Sequence, residues 1–153
     1  MEERFAVHDV MHRYALAIDT KDWSLLESVF APTIEADFRT FGAKDVFRGD
    51  AAAWVNTVRS TIDGMDATQH AMSNHLYNIS RDIADGTTYI RALHVCRSGR
   101  GGERYTIGGH YEVSMEKSAE AWRITRYRLV VTHDEGDRHV LREAQRRHHA
   151  EGE

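Results

Sequence analysis

Thr68–Ile79 (TQHAMSNHLYNI), Thr87–Arg97 (TTYIRALHVCR), Arg104–Met115 (RYTIGGHYEVSM) and Ala121–Thr132 (AWRITRYRLVVT) are four long runs rich in Tyr, Ile, Val and Thr. Asp85-Gly86, Gly99 to Gly102 and Lys117 to Glu120 stand between them as turn formers, so the run from residue 68 to 132 reads as an antiparallel meander. The residues before it have a different period. From Glu2 to Ile18, Phe5, Val7, Val10, Met11, Tyr14, Ala17 and Ile18 recur at helical spacing among charged residues. A shorter helix fits Asp22 to Phe30, with Asp22 as cap, and Ala31-Pro32-Thr33 ends it. Ile34 to Arg39 alternates as a strand, Gly42 to Gly49 reads as a loop, and a third helix runs from a cap at Asp50 to Ile62, closed by Asp63-Gly64. Helices first and a meander afterwards predict an α+β fold.

The chain has 153 residues, 41% of them hydrophobic, which is enough for one core and marginal for two. One domain over residues 1–133 is expected, followed by a charged tail, 134–153, that is either a solvated helix or a disordered end. Cys96 is the single cysteine, as a reducing cytoplasm normally yields. The opening MEERFAVHDV lacks the cationic start and apolar run of a signal peptide, and no stretch reaches the ~18 apolar residues of a membrane span. A formal charge of −4 with interspersed signs offers no basic stripe for nucleic acid. The expected partner is a small molecule met in the cytoplasm. Ten histidines raise the question of a metal, but His70 and His75, or His148 and His149, lack the spacing that puts two ligands on one helical face, so no metal site is expected. Gly99-Arg100-Gly101-Gly102 lacks the helix and Lys-Ser/Thr of a phosphate loop.

Asp19-Thr20-Lys21-Asp22-Trp23, Leu26, Phe30-Ala31-Pro32-Thr33, Asp37-Phe38-Arg39-Thr40-Phe41 and Thr68-Gln69-His70 resemble the fungal scytalone dehydratases. Gly108-Gly109-His110-Tyr111 and Trp122-Arg123-Ile124 are closer to bacterial SnoaL-like proteins, including the hexachlorocyclohexane dehydrochlorinases. The resemblance, spanning roughly Tyr14 to Leu129, implies an NTF2-like cone: N-terminal helices packed in the concave face of a curved, mostly antiparallel sheet, as in a cystatin-like α+β barrel. It also implies that Asp19 and His70 are a catalytic pair. A carboxylate on one imidazole nitrogen fixes the tautomer and leaves the other nitrogen as base, with neither metal nor cofactor required. The plainer alternative is that Asp19 ends a helix and His70 is a hydrogen-bonded strand residue.

Two pocket tyrosines of the fungal enzymes correspond here to Ile18 and Phe38, so a substrate other than scytalone is expected. Tyr14, Phe38, Trp54, Asn74, His94, Tyr111 and Arg128 are the candidate substrate-binding residues. His94 could protonate a departing hydroxyl, Asn74 shares strand parity with His70, Tyr111 follows a glycine pair, and Arg128 could balance an enolate or carboxylate; core packing or solvent exposure accounts for each equally simply. The resulting expectation is a cofactor-independent lyase, a dehydratase acting on a small hydroxylated aromatic or polyketide-like carbonyl compound. The same pair could serve an isomerase or a deformylating retro-aldol lyase, or the chain could be a non-catalytic binder. Tyr89, Leu93 and Val95, opposite His94, suggest a homo-oligomer, dimer or trimer.

Overall fold

The computed structural model describes residues 1–97, 102–119 and 121–152. Helix α1 (Glu2–Thr20) buries Val7, Val10, Met11, Tyr14, Ala17 and Ile18, the stripe that its period dictates. Lys21 ends it in the left-handed conformation at φ 55°. Its N–H donates to Ile18 O and that of Asp22 to Ala17 O, a Schellman closure, while the ammonium donates to the carbonyls of Asp63 and Met65. Asp22 then caps α2 (Trp23–Ser28) by accepting from Leu25 N at 2.9 Å.

Phe30 opens β1 (Phe30–Asp37) rather than closing the second helix. Pro32 is tolerated because the pairing of this strand with the last one is interrupted between Phe30 and Glu35, where no proline N–H is needed. The expected loop after Gly42 yields β2 (Phe47–Asp50), which leads into α3 (Ala51–Ile62). β3 (Ala67–Ser80), β4 (Ile83–Val95), β5 (Arg104–Ser118) and β6 (Ala121–Gly136) follow. The β3–β4 turn is Arg81-Asp82, with Arg81 at φ 54°, and not Asp85-Gly86. Gly86 lies inside β4, where an added Cβ would stand 2.0 Å from Leu76 O, so it is glycine for close approach and not for a turn. Of the other expected turns, Gly99 to Gly101 and Glu120 lie outside the described residues, and Lys117 and Ser118 belong to β5.

The order β2-β1-β6-β5-β4-β3 is antiparallel throughout except for β1 against β6, making a mixed six-stranded sheet in an α+β fold. The expected cone is not formed: the sheet neither curls on itself nor closes, and β2 and β3 remain as edges. Closure would require those two strands to pair. Here α1 packs on β3, and α3 on β1 and β2, covering one face without it.

The chain after His133 completes β6 and forms α4 (His139–Glu151), whose Val140, Leu141 and Ala144 are buried and which packs on α3. Gly64 makes that fit possible, since a Cβ there would lie 2.0 Å from Ala144 O. Gly64→Ala is expected to lower unfolding free energy by about 1–3 kcal/mol, read by urea titration, with α4 amides losing most hydrogen-exchange protection.

Candidate active site

Between α1, α3, α4 and the covered face of the sheet lies a cavity of about 470 Å³. Its wall is largely apolar, built by Ile18, Phe38, Phe41, Trp54, Val58, Ile62, Ile107, Leu129 and Leu141. Three sets of polar groups on it are held by hydrogen bonds: the Asp19–His70 pair, His94 and a cluster of tyrosines.

Asp19 lies in the last turn of α1, the end where a helix dipole disfavours a carboxylate. Three donors offset this: the His70 backbone N–H at 2.8 Å on Oδ2, with the Thr68 hydroxyl at 2.9 Å and His70 Nδ1 at 2.7 Å on Oδ1. β3 is an edge strand, so the His70 N–H lacks a ladder partner, and the carboxylate takes it. Burial pushes the Asp19 carboxyl up, but the bonds from His70 and Thr68 outweigh it and hold the group below its ordinary value. A carboxylate can only accept, so Nδ1 of His70 carries the proton and Nε2 is left with its lone pair. The His70 side chain is 7% exposed and lines the cavity.

His94 stands beside it, ring centroids 5.8 Å apart, with Nδ1 donating to Tyr105 O at 3.2 Å. Burial, helped by the charge of His70, holds His94 down at about 4. It is therefore neutral at neutral pH, with Nε2 as an acceptor, and is no source of a proton there.

The third polar feature is a chain of hydroxyls. Trp54 Nε1 donates to Tyr127 OH at 2.6 Å, and Tyr14 OH is 3.5 Å from Tyr127 OH and 3.2 Å from Tyr111 OH. An indole only donates, so Tyr127 accepts in its bond with Trp54, while between the phenols either hydroxyl can donate. Burial raises all three phenols well above their ordinary range. Tyr14 and Tyr111 line the cavity.

Of the sequence candidates, Tyr14, Phe38, Trp54, His70, His94 and Tyr111 share this cavity, with Asp19 behind His70. Two do not. Asn74 is exposed at φ 52°, inside a break in β3 pairing between Ser73 and Leu76. The extra residue moves the inward positions from His70 and Met72 to His75 and Tyr77, which undoes the parity that linked Asn74 to His70. Arg128 lies on the opposite face, 3.8 Å from Asp37 and from Glu112, because its neighbours Tyr127 and Leu129 are the inward ones. Sequence reading missed Arg138 and Arg142 of the α4 segment, which line the cavity. Their four-residue spacing beside Val140, Leu141 and Ala144 was the available signal. Among the described residues no group of three or more His, Cys, Asp or Glu side chains is gathered as a metal cage, and no helix is long and apolar enough to cross a membrane.

Residues 1–128 match the model of the SnoaL-like domain. The chain belongs to that family, within the NTF2-like superfamily. It is 30% identical over 93 residues to a scytalone dehydratase of Aspergillus fumigatus, a match spanning 58% of this chain and 55% of the fungal protein. Among solved structures, the Kfla4162 protein of Kribbella flavida superposes with a TM-score of 0.86 at 24% identity, covering 91% of this chain and 96% of that one. A hexachlorocyclohexane dehydrochlorinase of Novosphingobium barchaimii gives 0.72 at 16%, covering 90% and 91%. These structural likenesses show a shared fold across most of the chain.

The site has a signature in stability. His94 is held near 4 in the folded chain against 6.5 ordinarily, so between those values the unfolded state binds the extra proton and stability falls as pH drops. His75, held near 4 by burial and by His12 and His8, acts in the same sense. Urea unfolding at pH 7 and pH 5 is expected to show a loss, of which His94→Gln removes about 1–2 kcal/mol.

Proposed function

We propose that the chain is a cofactor-independent lyase that eliminates water, or a comparable leaving group, from a small hydroxylated aromatic or polyketide-like carbonyl compound. The observation that carries this reading is the 2.7 Å bond between Asp19 and His70, with the second imidazole nitrogen at the wall of a largely apolar cavity. Membership of the SnoaL-like family and the partial match to a scytalone dehydratase support it.

His70 Nε2 removes the proton from the carbon activated by a carbonyl, and the freed electron pair moves onto the carbonyl oxygen as an enolate. Hydroxyls of Tyr14 and Tyr111 donate to that oxygen, in the place of those absent at Ile18 and Phe38. Collapse of the enolate forms the carbon–carbon double bond and expels the β-hydroxyl. The proton that His70 took is delivered to the departing oxygen, so the product is water and His70 returns to neutral. Asp19 stays ionised and balances the imidazolium in between. His94 accepts a hydrogen bond from the substrate hydroxyl and orients it. This differs from the donor role expected of it, because its low pKa leaves no proton to give.

Tyr89 is exposed and Leu93 half-buried on the far face, which supports assembly as a homodimer or homotrimer; Val95 is buried within the chain. Gel filtration is expected to give a multiple of the 17.5 kDa chain mass, and a clean monomer contradicts it.

His70→Ala and Asp19→Asn are each expected to cut turnover of a hydroxylated aryl ketone by about 10²–10⁴-fold while ligand affinity stays within a few-fold. Turnover unchanged in both variants would sink the lyase reading and leave a small-molecule binder. Product analysis by mass separates elimination (loss of 18 Da), isomerisation (no change) and deformylation.

A further inference from the structure

We infer that the substrate carries a carboxylate, held at the α4 end of the cavity by Arg138 and Arg142; the inference rests on the small-molecule site described above and names its substrate class. The lining of the cavity includes these two guanidinium groups and not one Asp or Glu, in a chain whose net charge is −4. Like charges four residues apart on a helix repel, and cations in the first turn oppose the helix dipole, so this placement costs the free protein stability. The same helix shows the alternative: Arg146 is paired with Glu143, and Arg147 with Asp66. Among the described residues, Arg138 and Arg142 have no carboxylate within ion-pair distance.

Arg138 is also held in place. Its guanidinium donates to Tyr105 OH at 3.1 Å and to Phe41 O, and lies over the Phe41 and Tyr105 rings at 5.3 and 5.8 Å. Those acceptors are neutral; Tyr105 OH in turn donates to Asp134 at 2.7 Å, so that carboxylate reaches Arg138 only through the hydroxyl and makes no direct ion pair with it. Gly42, at φ 109°, leaves the room: a Cβ there would sit 2.4 Å from Nη2. Phe41 packs near both the His94 ring, centroids 6.1 Å apart, and Arg138, so one ring links the guanidinium to the imidazoles. A compact ring compound can then place its reacting carbon at His70 and its carboxylate at α4, where paired arginines suit a planar anion. Both arginines lie outside the range matched by the family model, which ends at residue 128, so this recognition belongs to the chain's own C-terminal helix.

The test compares 6-hydroxy-2-naphthoate with its neutral isostere 6-hydroxy-2-naphthamide by fluorescence titration of the full chain at pH 7.5. The naphthoate is expected to bind at least about tenfold more tightly, equivalent to about 1.4 kcal/mol, with the gap narrowing in high salt. Arg142→Gln, which breaks no described hydrogen bond, and the double variant with Arg138→Gln are expected to reduce the preference progressively to about twofold or less, the amide affinity being unchanged. Equal binding, a preference for the amide, a double variant that keeps the preference, or no binding of either compound below millimolar would each overturn the inference. His70→Ala keeps the preference if the inference holds, so loss of the lyase reading leaves it standing. Conversely, dyad-dependent turnover of an uncharged ketone together with equal binding removes only the carboxylate.

Discussion

The Asp19 carboxylate is the constraint around which the rest is arranged. An open sheet leaves alternate N–H groups of its edge strand without a partner, and a helix C-terminus repels a carboxylate. Setting one against the other removes both costs, because the N–H of His70 on β3 finds its acceptor in the last turn of α1. The bond ties the helix to the sheet edge and, through Oδ1, fixes the tautomer and orientation of the imidazole. Had the sheet closed, that N–H would belong to a ladder, and Asp19 would have only the Thr68 hydroxyl and the ring to hold it.

The break in β3 follows from the same edge. Asn74 in the left-handed region adds a residue that β4 does not match, and the strand presents a new set of side chains beyond it. Tyr77 becomes buried and bonds Thr88, which also meets His75, so the far half of β3 supports α1 with its own polar cluster while the near half supplies His70 to the cavity. Gly86 accommodates the approach on the β4 side.

What the sequence disclosed follows from which signals are local. The stripe of α1, the Asp22 cap and the strand character of residues 68–132 are set by near residues, and each was legible; Asp19 and His70 are remote in the chain, and only the family resemblance linked them. The openness of the sheet was not, because it depends on whether two strands remote in the chain meet. β2 was invisible as four residues among Gly and Asp. α4 was obscured by its charge: its buried apolar residues are just Val140, Leu141 and Ala144, beside a buried Glu143, and its fit relies on a glycine distant in sequence, Gly64. Asn74 misled because alternation holds only while the ladder is unbroken, and a bulge leaves no reliable mark in a single sequence.

The tyrosine chain bears on how a substrate must lie. In the fungal resemblance a hydroxyl is expected at position 18, where this chain has isoleucine; here the cavity hydroxyl on α1 belongs to Tyr14, one helical turn earlier, or roughly 6 Å along the axis. His70 remains anchored by Asp19, five residues after Tyr14 and next to position 18. A carbonyl bonded to Tyr14 and Tyr111 therefore stands farther from the base than one bonded at position 18 would. Under the proposed elimination, such spacing suits a substrate in which the acidic C–H and the carbonyl are joined through a conjugated unit, so that the negative charge travels across a ring before it reaches the hydroxyls. Trp54 contributes by direction: it can only donate, so the Tyr127 oxygen accepts from it and the buried indole–phenol pair braces Tyr14 from behind.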